Sequence, residues 1–159
     1  MPLGTLKLPL YLGRYFEVEG GPYRERPLDT VGVKMAVEIN LPCQVSIPTE
    51  DYKTPPIPAL QVGLIKTVEY IVKGHPVYVG CMGGMGRTGL FLAILAKAWG
   101  ITNPVEYVRK NYYAHAVETA EQYKFVMDFK VPEELAWQIA LAKLKSVFRF
   151  GERNLTQFT

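Results

Sequence analysis

The feature that most narrows what this chain can fold into is VYVGCMGGMGRTGLFLAILAKAW, residues 77–99. HPVYVG (75–80) is a short apolar run rich in β-branched and aromatic residues, and it reads as a buried strand. TGLFLAILAKAW (88–99) is apolar almost all round, so it reads as a helix without a solvent face. Between them lie seven residues, three of them glycine. A strand that runs through a glycine turn straight into a buried helix fits few architectures. The helix has to pack back on a sheet, which makes the class α/β with a central, mostly parallel sheet. In such sheets ligands collect at the carboxyl ends of strands, where residues 80–87 fall.

The rest of the 159 residues supplies the other layers. Residues 7–12 (KLPLYL) read as an edge strand that tolerates Pro9, and 13–32 as a loop-rich stretch broken by Gly20, Gly21, Pro22 and Pro27. VKMAVEIN (33–40) and QVSIP (44–48) read as strands, giving a sheet of four to five strands with helices on its faces. A helix is expected from about residue 57 to 73, stopped by Gly74. Asn103-Pro104 opens another, Thr119 caps AEQYKFVMDF, and Pro132 separates that from a last amphipathic helix over 133–150. The expectation is one domain over 1–150, with its core at about 8–130 and a polar tail at 151–159. Leu135, Ile139, Leu144 and Phe148 are expected to pack on that domain, and a dimer contact would give the same pattern.

Several function classes drop out early. No apolar run reaches membrane-spanning length, and the N-terminal MPLGTLKLPLYLGRY lacks the charged head and apolar middle of a secretory signal. Two cysteines do not make a disulfide framework, so a cytoplasmic location is expected. They and two isolated histidines do not make a zinc set either. A net charge of +3 is no footprint for nucleic acid. Gly84-x-Gly86-x-x-Gly89 matches a dinucleotide fingerprint, but that fold needs a further strand ending in an acid about 20 residues on. Glu106 is the only acid in range and sits in a helical segment. A Walker motif fails because there is no Gly-Lys-Ser/Thr.

An anion cradle explains more of the loop. Successive backbone N–H groups in a glycine-permitted curl point inward and form a nest for a tetrahedral oxyanion. Gly83, Gly84 and Gly86 remove Cβ atoms that would block it, and the helix from Thr88 aims its positive end at the same place. Arg87 adds a planar fork matched to two phosphate oxygens. The phosphate-binding set is then Met82, Gly83, Gly84, Met85, Gly86 and Arg87, with Cys81 beneath. A thiol beside an arginine and ringed by amides is expected to ionise readily, and phosphoryl transfer to sulfur is the chemistry that uses both.

CMGGMGRTG (81–89) resembles the Cys-x5-Arg-Thr signature of the cysteine-dependent protein tyrosine phosphatase superfamily, and the chain's size is similar to its small dual-specificity branch. IPTEDYKTPP (47–56) is similar to the family's general-acid loop, with Asp51 as the acid and Glu50 as its competitor. VRKNYYAHAVETAEQYKFV (108–126) resembles the segment that carries a water-positioning glutamine, which maps to Gln122. PLYLGRY and EIN (38–40) fall where such domains carry an early strand and a buried strand ending in Asn. The resemblance implies that Cys81 attacks phosphorus and Arg87 holds the oxygens. It further implies that Asp51 donates and then accepts a proton, Gln122 orients water, and the Thr88 hydroxyl steadies the departing thiolate. No cofactor or metal is implied. The partner is a phosphorylated protein or another phosphomonoester.

Two positions depart from the pattern. Gly80 stands where the family usually has His, and Glu118 where tyrosine-specific relatives have Gln. Gly80 motivates an alternative, a phosphate-binding module that has lost turnover; RNA 5′-phosphates are a third substrate class, disfavoured by the modest charge. Met82 and Met85, where phosphoinositide-directed relatives often carry Lys, argue against a highly anionic lipid headgroup. Cys43 reads as a strand-end residue, or as a disulfide partner that shields Cys81 from over-oxidation. Tyr11, Tyr15, Phe16 and Tyr23 could form a pocket wall, whereas His75 and His115 read as surface residues.

Overall fold

A computed structural model describes the backbone of residues 2–157 and the side chains of 2–148. Five strands, β1 (Gly4–Pro9), β2 (Tyr15–Pro22), β3 (Val31–Ala36), β4 (Val45–Thr49) and β5 (Val77–Cys81), form one sheet in the order β1-β2-β5-β3-β4. β1 runs antiparallel to β2 and every other pairing is parallel, as the α/β reading expects. The helices are α1 (Ile57–Val72), α2 (Gly86–Ala98), α3 (Pro104–Asn111), α4 (Ala120–Asp128) and α5 (Glu133–Gln157).

β5 is central and buried along its whole length, which is why VYVGC carries no alternation. α2 follows it and buries all but one of its residues; the exception, Lys97, reaches out to donate to the carbonyls of Val126 and Met127 at the end of α4. α1 buries Leu60, Gly63, Leu64, Thr67, Val68 and Ile71, a single stripe at helical spacing, and Gly74 at φ +86° stops it. Gly63 is required by close packing, since a Cβ there would collide with the Ile47 side chain on β4.

Five expectations need correction. Residues 13–32 are not mainly loop, because 15–22 form β2, the strand that pairs with β5. Its terminal glycines are not breakers. A Cβ on Gly20 would sit 2.9 Å from the Tyr112 ring, and one on Gly21 2.5 Å from the Tyr78 hydroxyl, so both make room for neighbours. The edge strand is 4–9 rather than 7–12, with Pro9 as its last residue and Leu12 in the turn beyond at φ +61°. β3 ends at Ala36, so Glu38 belongs to a turn and Asn40 to the irregular segment after it, and neither to a strand. The last helix continues through Gln157, so most of the expected polar tail is helical; residues 158–159 lie outside the described residues. Along α5, Leu135 and Ile139 are buried as expected, whereas Leu144 and Phe148 are exposed with Trp137 and Leu141.

Candidate active site

β5 carries Cys81 to the carboxyl end of the sheet, between Pro22 of β2 and the end of β3. The chain then curls through 82–85 and enters α2 at Gly86. Gly84 stands at φ +77°, and a Cβ on it would collide with the backbone of Gly21, so the curl rests main chain against main chain on β2. The Gly84 N–H points inward and donates to Cys81 Sγ at 3.2 Å. No side chain caps α2, which leaves its first amides for a ligand. Cys81 is only 3% exposed.

Arg87 is buried and heavily engaged. Its Nη1 and Nη2 donate to the two carboxylate oxygens of Glu38 at 2.8 and 2.6 Å, and Nη1 also donates to the Thr49 carbonyl at 2.9 Å. Asp51 Oδ1 lies 3.4 Å from Nη2. A guanidinium has five donors in a fixed fork. With one edge on Glu38 and the outer Nη1 proton on Thr49, the Nε–Nη2 edge remains for an oxyanion. Burial works against the Arg87 charge, but the Glu38 hydrogen bonds, with Cys81 and Asp51, hold its pKa up. The same bond from Arg87 keeps the Glu38 carboxyl below its ordinary range against the effect of burial.

Asp51 sits in the tight turn Glu50–Lys53, closed by Lys53 N–H to the Glu50 carbonyl at 3.1 Å, with Tyr52 in the left-handed region at φ +60°. Asp51, Tyr52, Cys81, Met82, Gly83, Met85, Gly86, Arg87 and Glu118 line a cavity of about 90 Å³. Glu50 is not among them. Larger cavities of about 480 Å³ open between α1 and α4 and beneath α5, but neither contains a cysteine, a glycine curl or a paired arginine. Chemistry, not volume, marks the site.

The structure brings Cys81, Arg87 and Asp51 together with the 82–87 loop. Gln122 stands apart. It is fully buried, its Oε1 accepts from the N–H groups of Glu118 and Thr119 at 2.9 and 3.3 Å, and its Nε2 donates to the Lys53 carbonyl at 3.2 Å. It is thus half of a capping box on α4 and a brace on the Asp51 turn, and its amide does not line the cavity. The residue of that segment facing the cavity is Glu118, whose carboxylate lies against Gly86 so closely that a Cβ there would collide with it. Thr88 Oγ1 is buried with no hydrogen-bond partner among the described residues.

Three roles escaped the sequence reading. Glu38 was seen only as part of EIN, and nothing local links it to an arginine 49 positions away. Tyr112 donates to the Gly84 carbonyl at 2.6 Å from beneath the loop. Tyr23 accounts for Gly80: a Cβ at position 80 would come 2.7 Å from Tyr23 Cα and 2.9 Å from the Gly21 carbonyl oxygen, so backbone fills the space a side chain would need. Tyr23 is buried there with its hydroxyl on the Pro42 carbonyl, while Tyr11 and Tyr15 are exposed and do not line the cavity. Tyr23 does not form the pocket wall either.

Cys43 does not reach Cys81. Val33 is in register with both Val45 and Val79, which puts Cys43 two residues below that level and Cys81 two above. Cys43 thus precedes β4 while Cys81 ends β5, at opposite ends of parallel strands. Both thiols are free.

Two uncharacterized proteins of Methanocaldococcus jannaschii, MJECL20 and MJ0215, are 45% and 44% identical to this chain over 84 residues, 52% of its length. The chain spans about half the length of these relatives, 56% and 52% respectively. Among solved structures, Tk-PTP in the active form superposes with a TM-score of 0.52 at 28% identity, over 68% of this chain and 79% of that one. The kinase associated phosphatase KAP, with its catalytic-site cysteine changed to serine, gives 0.60 at 14% identity over 86% and 97%, a likeness of fold. Residues 24–129 match the family described as PTP-SAK, Swiss Army Knife protein, DSP-PTPase phosphatase domain. The chain therefore belongs to the small dual-specificity-like branch of the cysteine-dependent protein tyrosine phosphatases.

Proposed function

We propose that this domain hydrolyses phosphomonoesters, phosphotyrosine and phosphoserine or phosphothreonine in proteins, through a phosphocysteine intermediate. The observation that carries the reading is the Cys81 sulfur at the foot of a curl whose Gly84 N–H already points at it, with the open edge of Arg87 alongside. Cys81 attacks phosphorus in line. An S–P bond forms as the ester P–O bond breaks, and Asp51 gives its proton to the leaving oxygen. Water then attacks phosphorus and returns a proton to Asp51, phosphate leaves, and the sulfur recovers its electron pair. The Thr88 hydroxyl, buried without a hydrogen-bond partner among the described residues, is available to steady that sulfur. Positive field at the equatorial oxygens comes from Arg87 and the loop amides.

The cavity admits little more than the phosphoryl group, so the rest of the substrate lies outside it. That arrangement suits phosphorylated side chains of different lengths and supports dual specificity. Gln122 in this reading orders the Asp51 turn and the Glu118 segment, and the second carboxylate facing the phosphoryl group is Glu118.

The test is hydrolysis of p-nitrophenyl phosphate in EDTA, followed by phosphotyrosyl and phosphoseryl peptides. Turnover with chelator present, abolished in Cys81→Ser and accompanied by acid-stable radiolabel on Cys81 from a 32P substrate, is expected. Full activity in Cys81→Ser would refute the mechanism. Phosphopeptide binding without turnover would identify a binding module instead.

A further inference from the structure

We propose that Tyr112 is a positioning residue of the oxyanion cradle: its hydroxyl fixes the outward carbonyl of Gly84 and so keeps the Met85 N–H turned toward the phosphoryl group. The inference rests on the phosphatase reading above. Its starting point is the hydrogen bond from Tyr112 Oη to Gly84 O, 2.6 Å long and buried, between residues 28 apart. The peptides here are trans, and in a trans peptide C=O and N–H point in opposite directions. Holding the Gly84 carbonyl down toward Tyr112 therefore holds the next N–H, that of Met85, up toward the cavity that Met85 lines.

The loop needs such a tie. Gly84 stands at φ +77° and has no Cβ to bias its ψ, so the tilt of the 84–85 plane is set by what holds the Gly84 carbonyl and by the φ of Met85. Gly84 N–H is engaged by Cys81 Sγ, which holds one face of the residue, and the Tyr112 hydroxyl holds the other.

The surrounding sequence is built around this side chain. Tyr112 closes α3, with its N–H on the Val108 carbonyl, and its ring runs under the sheet edge. Gly4 and Gly20 are register partners on β1 and β2. A Cβ on Gly4 would come 2.5 Å from the Tyr112 carbonyl oxygen and 2.9 Å from its ring, and one on Gly20 2.9 Å from ring and hydroxyl alike. A pair of facing glycines thus forms a slot that leads the ring to the loop. Burial, and then Cys81 and Tyr78, raise the Tyr112 pKa, which keeps the hydroxyl a donor.

The experiment compares wild type, Tyr112→Phe, Gly20→Ala and a control, Tyr107→Phe, in the full chain. Tyr107 also donates to a backbone carbonyl, that of Lys7 at 2.5 Å, but on the edge of β1 away from the loop. Tungstate affinity by calorimetry, kcat and KM on p-nitrophenyl phosphate, and thermal midpoints are measured. Tyr112→Phe is expected to weaken tungstate binding about tenfold and to lower kcat by a similar factor, with KM changed less. Gly20→Ala, which keeps the hydroxyl but displaces the ring, should behave alike, and Tyr107→Phe should match wild type in both readouts. Wild-type tungstate affinity and kcat in Tyr112→Phe would overturn the proposal while leaving an active phosphatase in place. If wild type proves inactive, the phosphatase reading fails separately, and the proposal is decided by tungstate affinity alone. A loss of tungstate affinity equal in Tyr107→Phe would assign the effect to general destabilisation and overturn it.

Discussion

Three of the five donors of Arg87 are committed to Glu38 and Thr49. An unpaired arginine this deeply buried would be costly, and its fork would be free to rotate. Glu38→Gln removes the charge and one of the two acceptors, so kcat/KM is expected to fall about tenfold, because the oxyanion edge is no longer aimed. The pH dependence has a definite sign. Glu38 is held below the ordinary carboxyl range first by the hydrogen bond from Arg87, against the effect of burial. Its contribution is therefore complete above about pH 4.3 and drains away as pH falls through its lower folded value. Melting curves between about pH 5 and pH 3 should accordingly show wild type losing more stability than Glu38→Gln. Cys81 and Arg87 were legible because the signature is contiguous. Glu38 was not, since it meets Arg87 only through the fold.

The segment between α3 and α4 is held under strain. Val117 is β-branched and buried, yet stands at φ +61°. Arg109 pins the turn, with Nε on the Ala116 carbonyl at 2.9 Å and Nη2 on that of Val117 at 2.8 Å. Gly89 admits the turn against α2, where a Cβ would lie 2.7 Å from that of Ala116. Together these turn Glu118 to the cavity. Arg109→Lys, which cannot bond both carbonyls in that geometry, is expected to cost about 1–2 kcal/mol in urea denaturation and to reduce kcat as Glu118 drifts. Glu118→Gln should keep the stability of wild type and lower kcat, a separation that assigns the carboxylate to the chemistry. Gln122→Ala is expected to cost stability, about 1–3 kcal/mol, because it strips partners from three backbone groups. That role was half legible: Thr119-x-x-Gln122 is a capping-box spacing, whereas the bond to Lys53 crosses 69 positions. β2 was misread for a related reason. YFEVE alternates as a strand should, but GGP at its end has the composition of a turn, and only the tertiary neighbours Tyr112 and Tyr78 explain glycines there.

On the scale of the molecule, the α/β class was legible because strand, curl and apolar helix follow one another without interruption. The strand order was not, because β5 inserts between β2 and β3 and neither neighbour is adjacent to it in the chain. This insertion reaches into how the site comes into being. The curl leans on Gly21 of β2, and β2 joins β5 across some fifty-six positions, the span of the bond from Tyr78 to the Pro22 carbonyl. Parallel pairings of that separation form late, after the entropy of closing long loops has been met. Cys81 thus has no seat until distant strands have docked, and partly assembled chains should be inert. In a Trp137→Phe background, refolding from urea should return turnover with the same rate constant as the fluorescence of buried Trp99, with no active species running ahead of it.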